Sequence, residues 1–361
     1  NMKGIPAAAA IGIIGGNPDK GLEVLADITE SDIASTKEFL EKIPCKVSLL
    51  DTVASLHFIV EVFAGADSAS VEIIHQHTNI VHTTKNGKDV LSVPFDPASA
   101  NAALTDRSGL SVKKILEFAD TIDLDRVRPI LERQIDYNTR IAQEGLEHRY
   151  GINAGANLLK AAEAEQAVTL KIRAQAAAAA GSDARMSGCT LPVVTNSGSG
   201  NQGLTASLPV IVFAEEKKLP HDKLLRGLLV SNLIAIHQKT RIGRLSAYCG
   251  AVSAGCGSGA AVTYLSGGSY EQVCETITNT LAVVSGIVCD GAKPSCASKI
   301  ASSVDAALNA HYLAMQNRVF EPGEGIVKGD IEKTIAGVGA VAADGMRETD
   351  KVILRIMVDD D

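Results

Sequence analysis

The helical patterns of this chain are built from unusually small side chains. Stretches such as AQAAAAAG (174–181) and SAGCGSGAA (253–261) leave little on a helix surface to hold a neighbour away. There is no tryptophan, and aromatic residues reach only 4%, so Ala, Leu, Ile and Val must fill the core. With 46% hydrophobic residues over 361 positions, that core is a large one. The pattern predicts closely approaching, largely buried helices from about residue 108 to the end.

Two other textures come first. Residues 1–44 read as N-terminal helices belonging to the helical domain. IPAAAAIGIIGG stops at Gly15-Gly16 and Pro18, and SDIASTKEFLEKI resumes with Ser31 or Asp32 as N-cap. Residues 45–107 change period. CKVSLLDTV, LHFIVEVFAG and ASVEIIHQHTNIVHTTKNGKDVLSV carry β-branched residues in partial alternation, and Asn86-Gly87 is a type I′ hairpin signal. An antiparallel sheet of about three to five strands is expected there. The fold class is α+β: a helical catalytic domain over 108–361 and a small sheet subdomain.

Within the helical part, Val127, Ile130, Leu131, Ile135 and Ile141 share one face, with Pro129 near the first turn. NLLKAAEAEQAVTLKIRAQAAAAAG reads as a helical stretch ending at Gly181, and TNSGSGNQG (195–203) breaks the pattern before a helix near Leu204.

The formal charge is 34 − 42 = −8 with no basic block, which argues against a nucleic-acid partner and for small-molecule ligands. No apolar run reaches membrane-spanning length, so no membrane partner is expected. Seven cysteines without a signal peptide suit a cytoplasmic chain with reduced thiols better than a disulfide framework. An Asn ahead of Met2 makes residue 1 an unlikely native start, so a further N-terminal segment is expected. Small-residue helices and high apolar content make a homodimer the expected assembly.

Four constellations could carry chemistry. Cys249, Cys256, Cys289 and Cys296 lie in segments interrupted by Gly or Pro, as thiolates that wrap an iron–sulfur cluster commonly do. Their spacing is no standard zinc pattern, and buried core thiols are the competing reading. In TNSGSGNQG, backbone N–H groups with Ser197, Ser199, Asn201 and Gln202 form a candidate carboxylate cradle, or an ordinary interhelical turn. His237, Lys239, Arg241 and Arg244 precede Cys249, where cations suit either a carboxylate or a helix C-terminus. His75 and His77 would share a strand face under strict alternation, a spacing that metals can use. Cys45 and Cys274 read as core, and Cys189 as a neighbour of the glycine loop.

MSGCTLPVVTNSGSGNQG, IHQKTRIGRLSAYCG and VCDGAKPSCASK together resemble the iron–sulfur L-serine dehydratase α-chain superfamily. The nearest branch is the L-cysteine desulfidase-like one, an uncharacterised conserved bacterial family. The resemblance spans essentially the whole chain. It implies a [4Fe-4S] cluster held by Cys249, Cys289 and Cys296, with Cys256 a neighbour, and no pyridoxal phosphate. It implies β-elimination of L-cysteine to pyruvate, ammonia and sulfide. Alternatives are dehydration of L-serine, or a non-catalytic zinc-binding or regulatory role. The glycine loop and Lys239 or Arg241 would hold the substrate carboxylate. Family members carry a catalytic cysteine in a Gly-Cys-Thr-Glu-Pro-like N-terminal motif. This sequence lacks that motif, which leaves the base unassigned and expected on an absent segment.

Overall fold

The computed structural model describes residues 2–54, 56–97, 105–243 and 245–358. Two helices open it, α1 (Ile5–Gly15) and α2 (Glu30–Lys42). The cap of α2 is Thr29, not Ser31 or Asp32. The Thr29 hydroxyl accepts from the Asp32 N–H at 3.2 Å, and the Asp32 carboxylate accepts from the Thr29 N–H at 2.9 Å. That reciprocal box satisfies two helix-end donors at once and makes Asp32 the third helical residue.

Strands β1 (His57–Ala64), β2 (Asp67–Ile74), β3 (Ile80–Lys85) and β4 (Lys88–Ser92) form one antiparallel sheet in sequential order. Asn86 and Gly87 take φ of 51° and 71° between β3 and β4, as a type I′ turn requires. The Asn86 carboxamide also accepts from the Ser68 N–H at 2.7 Å and donates to Asp67 at 2.8 Å, so the turn grips β2 as well. The expected strand at 45–53 does not form. Its apolar residues do not alternate strictly, Leu49 and Leu50 are exposed, and Cys45 is exposed rather than core. The His75/His77 pairing also fails. At φ 65°, His75 turns the chain off β2, so the two imidazoles do not share a strand face.

The remaining elements are α3 (Val112–Thr121), α4 (Arg128–Glu147), α5 (Ala154–Ala164), α6 (Leu170–Met186) and α7 (Gly200–Glu216). They continue with α8 (His221–Ile242), α9 (Gly250–Leu265), α10 (Tyr270–Val284), α11 (Cys296–Ala314), α12 (Ile331–Ala340) and α13 (Arg347–Val358). The stretch read as helical to Gly181 divides into α5 and α6, because Thr169 caps a new start and Gly181 packs inside α6 against Leu204 and Leu208.

Helix α9 sits at the centre of this part, packed by α7, α8, α10 and α11. Its glycines set how near two of them come. A Cβ at Gly255 or Gly259 would press on Ser303 or Ala307 of α11, and one at Gly257 would collide with the Ser231 carbonyl of α8. Small-residue faces thus produce the close approach that the sequence predicts. No helix among the described residues is long and apolar enough to cross a membrane.

The chain divides into two compact units, Asn1–Thr105 with Lys351–Asp361, and Asp106–Asp350. The N-terminal helices fall in the first of these with the sheet segment, whereas the sequence assigns them to the helical domain.

Candidate functional site

Cys249 is the residue just before α9, and Cys289 follows α10. A short antiparallel bridge joins their segments. The Cys249 N–H donates to the Ile287 carbonyl at 3.0 Å, the Cys289 N–H donates to the Ala247 carbonyl at 2.5 Å, and Tyr248 stands opposite Val288. Thiols forty residues apart in sequence therefore meet. Their hydrogen bond lowers the Cys289 thiol to about 6 and, with burial, raises that of Cys249. The pair favours one thiolate, on Cys289, receiving a hydrogen bond from the other thiol.

Cys296 begins α11, and its Sγ lies 3.6 Å from the Gly291 carbonyl. Gly291 at φ 94° supplies the bend, and Asp290 braces the loop through ion pairs to Lys293 (2.8 Å) and Lys299. Burial alone would raise the Asp290 carboxyl, but those two lysines outweigh it and bring it to about 2. This clamp escaped the sequence reading, although the i, i+3 spacing of Asp290 and Lys293 was a signal for it.

The candidate cations separate by helix face. Lys239 is 5% exposed; burial pulls its ammonium down to about 8, with the charges of Cys289 and Cys249 acting in the opposite sense. Arg241, two residues on, lies about 200° further round α8. It packs under Gly339 of α12, where a Cβ would collide with its own Cβ, and its charge acts on Glu332. His237 hydrogen-bonds Glu332 of α12 at 2.6 Å, and Glu332 accepts the first N–H of α3 at 2.7 Å, so this histidine ties helices together. Arg244 lies outside the described residues.

The glycine loop is a tight turn. Asn196 and Ser199 exchange backbone hydrogen bonds of 3.1 and 3.0 Å around Ser197 (φ 50°) and Gly198 (φ 80°). Ser197 donates its hydroxyl to Asn196 at 2.9 Å, and Ser199 caps α7 by accepting from the Gln202 N–H at 3.4 Å. Those two hydroxyls serve the turn itself. Asn201 and Gln202 are different: Asn201 Oδ1 accepts from Arg185 at 3.3 Å, and the buried Gln202 carboxamide packs over Gly250, beside Cys249. Its Oε1 has no hydrogen-bond partner among the described residues. Asn196, unremarked in the sequence, anchors the turn to Asn232 of α8 at 2.9 Å.

Cys189 half-buries beside Tyr150, whose hydroxyl donates to Glu144 at 2.9 Å. Cys256 is fully buried and lies within α9, as a neighbour rather than a member of the pair.

In kind, this donor set suits an iron–sulfur cluster: three thiols, one of them inclined to ionise, with lysines electrostatically coupled to them. In spacing it is a contacting pair plus a third thiol on a Gly/Pro loop. Among the described residues no three His, Cys, Asp or Glu side chains are set to hold a metal ion, so a cluster would have to part that pair.

Residues 19–355 match the family described as serine dehydratase alpha chain. A UPF0597 protein of Treponema denticola is 57% identical over 360 residues, covering 99% of this chain and 84% of its own length. A UPF0597 protein of Lachnoclostridium phytofermentans is 53% identical, with 99% and 84% covered. One from Desulfitobacterium hafniense is 49% identical, with 99% and 82% covered.

Proposed function

Because the chain belongs to the serine dehydratase alpha chain family, we propose that it is a [4Fe-4S]-dependent β-eliminating lyase converting L-cysteine to pyruvate, ammonia and sulfide. Membership points to serine dehydratase-like lyase chemistry; the cofactor and the sulfur substrate are the finer reading. The observation that carries it is the bridge between 247–249 and 287–289, which brings two widely separated thiols into contact beside a buried lysine.

Cys249, Cys289 and Cys296 would hold the cluster. Bound there, it would supply a Lewis acid that makes the substrate's heteroatom a better leaving group. The chain's own groups do the rest. Lys239 balances thiolate charge in a site from which water is largely excluded, where such compensation is strong. Asn201 and Gln202, at the start of α7, position the amino-acid head group. A proton leaves Cα, sulfide leaves Cβ with the bonding electrons, and the resulting aminoacrylate hydrolyses to pyruvate and ammonia.

Anaerobic reconstitution with iron and sulfide tests this reading. Wild type should acquire iron and acid-labile sulfide and form pyruvate from L-cysteine, while Cys289→Ser and Cys296→Ser should lose most of both. Full cluster content in either variant would end the assignment. L-Serine is the second reading, favoured by the family's description, and the ratio of kcat/KM for the two amino acids decides between them.

A further inference from the structure

Arg185 closes α6 and reaches across to the start of α7. Its guanidinium lies against Gly200, the first residue of α7, where any Cβ would collide with Nε. Its polar contacts are Asn201 Oδ1 at 3.3 Å and the Met186 sulfur at 4.0 Å. Among the described residues no carboxylate forms an ion pair with it. A half-buried guanidinium without a carboxylate is unusual, because losing water costs a cation heavily unless an anion replaces it. Through Asn201, the neighbour of the Gln202 that packs over Gly250, this arginine adjoins the residues around Cys249.

A second feature lies one residue from Asn201. Gln202 is 8% exposed, and its Oε1 accepts from no donor among the described residues. A buried acceptor left empty is costly, because it has lost water and gained nothing in exchange. An unpaired cation and an empty acceptor in adjoining parts of one site match the two charges of an α-amino acid: a carboxylate for the first, an ammonium for the second.

We propose that Arg185 binds the α-carboxylate of the amino-acid substrate, with Gln202 Oε1 accepting from its ammonium group. This rests on the lyase reading for the identity of the ligand, but not for the site's charge pattern. It makes the enzyme selective for intact α-amino acids over thiols or alcohols that lack the head group. Gly200 is then required as the residue that lets the guanidinium pass over α7.

Calorimetric binding to the reconstituted full chain tests the assignment. The probes are L-alanine, which has the head group but no leaving group, and propionate, which has the carboxylate alone. Arg185→Gln should weaken both by about 30-fold or more, as expected for losing a charge-assisted bond. Gln202→Leu should weaken L-alanine and leave propionate unchanged. Arg185→Lys should keep binding within about tenfold of wild type, showing that the loss in Arg185→Gln is not unfolding. Undiminished L-alanine binding in a folded Arg185→Gln protein, or no binding by wild type, overturns the proposal. If binding behaves as stated but wild type makes no pyruvate, the head-group site stands and the lyase reading falls. If wild type makes pyruvate and Arg185→Gln binds normally, the lyase reading stands and Arg185 is acquitted.

Discussion

Helices α6, α7 and α9 are buried around nearly their whole circumference, whereas strand β1 leaves Phe58, Ile59, Val60, Val62 and Phe63 exposed by 38–75%. In the helical unit, small side chains let backbones approach until packing alone dictates where each helix runs. In the sheet segment, order is set locally, by turns and by the hydrogen bonds of residues such as Asn86. The polar groups follow the same division. Asn138, Asn196, Gln202 and Lys239 are all at least nine-tenths buried in the helical unit, and most of them adjoin the candidate site. The candidate site therefore sits where the protein is packed most tightly, and a buried group lacking a partner there carries information that an exposed one would not.

Glycine is the sharpest way to break this comparison. Gly257→Ala forces a methyl into the α8 backbone and should cost about 3 kcal/mol, read from the urea midpoint of the helical signal. A loss below about 1 kcal/mol would mean the helices can part freely.

Next comes pH. His311 is buried, bonds Thr263 at 2.9 Å and faces Phe213, and burial lowers its imidazole from 6.5 to about 4. The unfolded chain takes up this proton first as pH falls. Stability from this group is therefore complete above pH 6.5 and is lost between 6.5 and 4. Urea titrations at neutral and acidic pH should differ by on the order of 2 kcal/mol from this residue, and His311→Gln should flatten that difference.

Smaller effects belong to the sheet. Asn86→Ala removes the side-chain grip on β2 and should cost about 1 kcal/mol, seen as faster amide exchange in β2–β4 with the helical signal unmoved. Gly65→Ala meets open space but sits at φ 61°, so about 1 kcal/mol or less is expected, a small fraction of the Gly257→Ala effect.

What was legible in the sequence divides along the same line. The Asn86-Gly87 turn was readable because its chemistry is complete within a few residues. So were the strands that flank it and most of the apolar face of α4, from which Ile130 departs because it points to solvent, 60% exposed. The spacing of Cys249, Cys289 and Cys296 suggested a site, but only the bridge at Tyr248 and Val288 explains why two of these thiols touch. Thr29 was overlooked as a cap because its partner, Asp32, was itself read as one. Arg185 could not be singled out: what marks it is the lack of a carboxylate partner among the described residues and a glycine on another helix. Lys239 and Arg241 suited a helix end equally in the sequence, and only the fold shows that one is buried while the other packs under Gly339.

Two of the three thiols stand at helix starts: Cys249 immediately ahead of α9, and Cys296 as the first residue of α11. Gly255 and Gly259 press those two helices together along a shared seam against Ser303 and Ala307. The seam thereby fixes, from well inside the protein, how the two helices that start at or beside these cysteines lie against each other. A single methyl added there would disturb helix starts that it never touches.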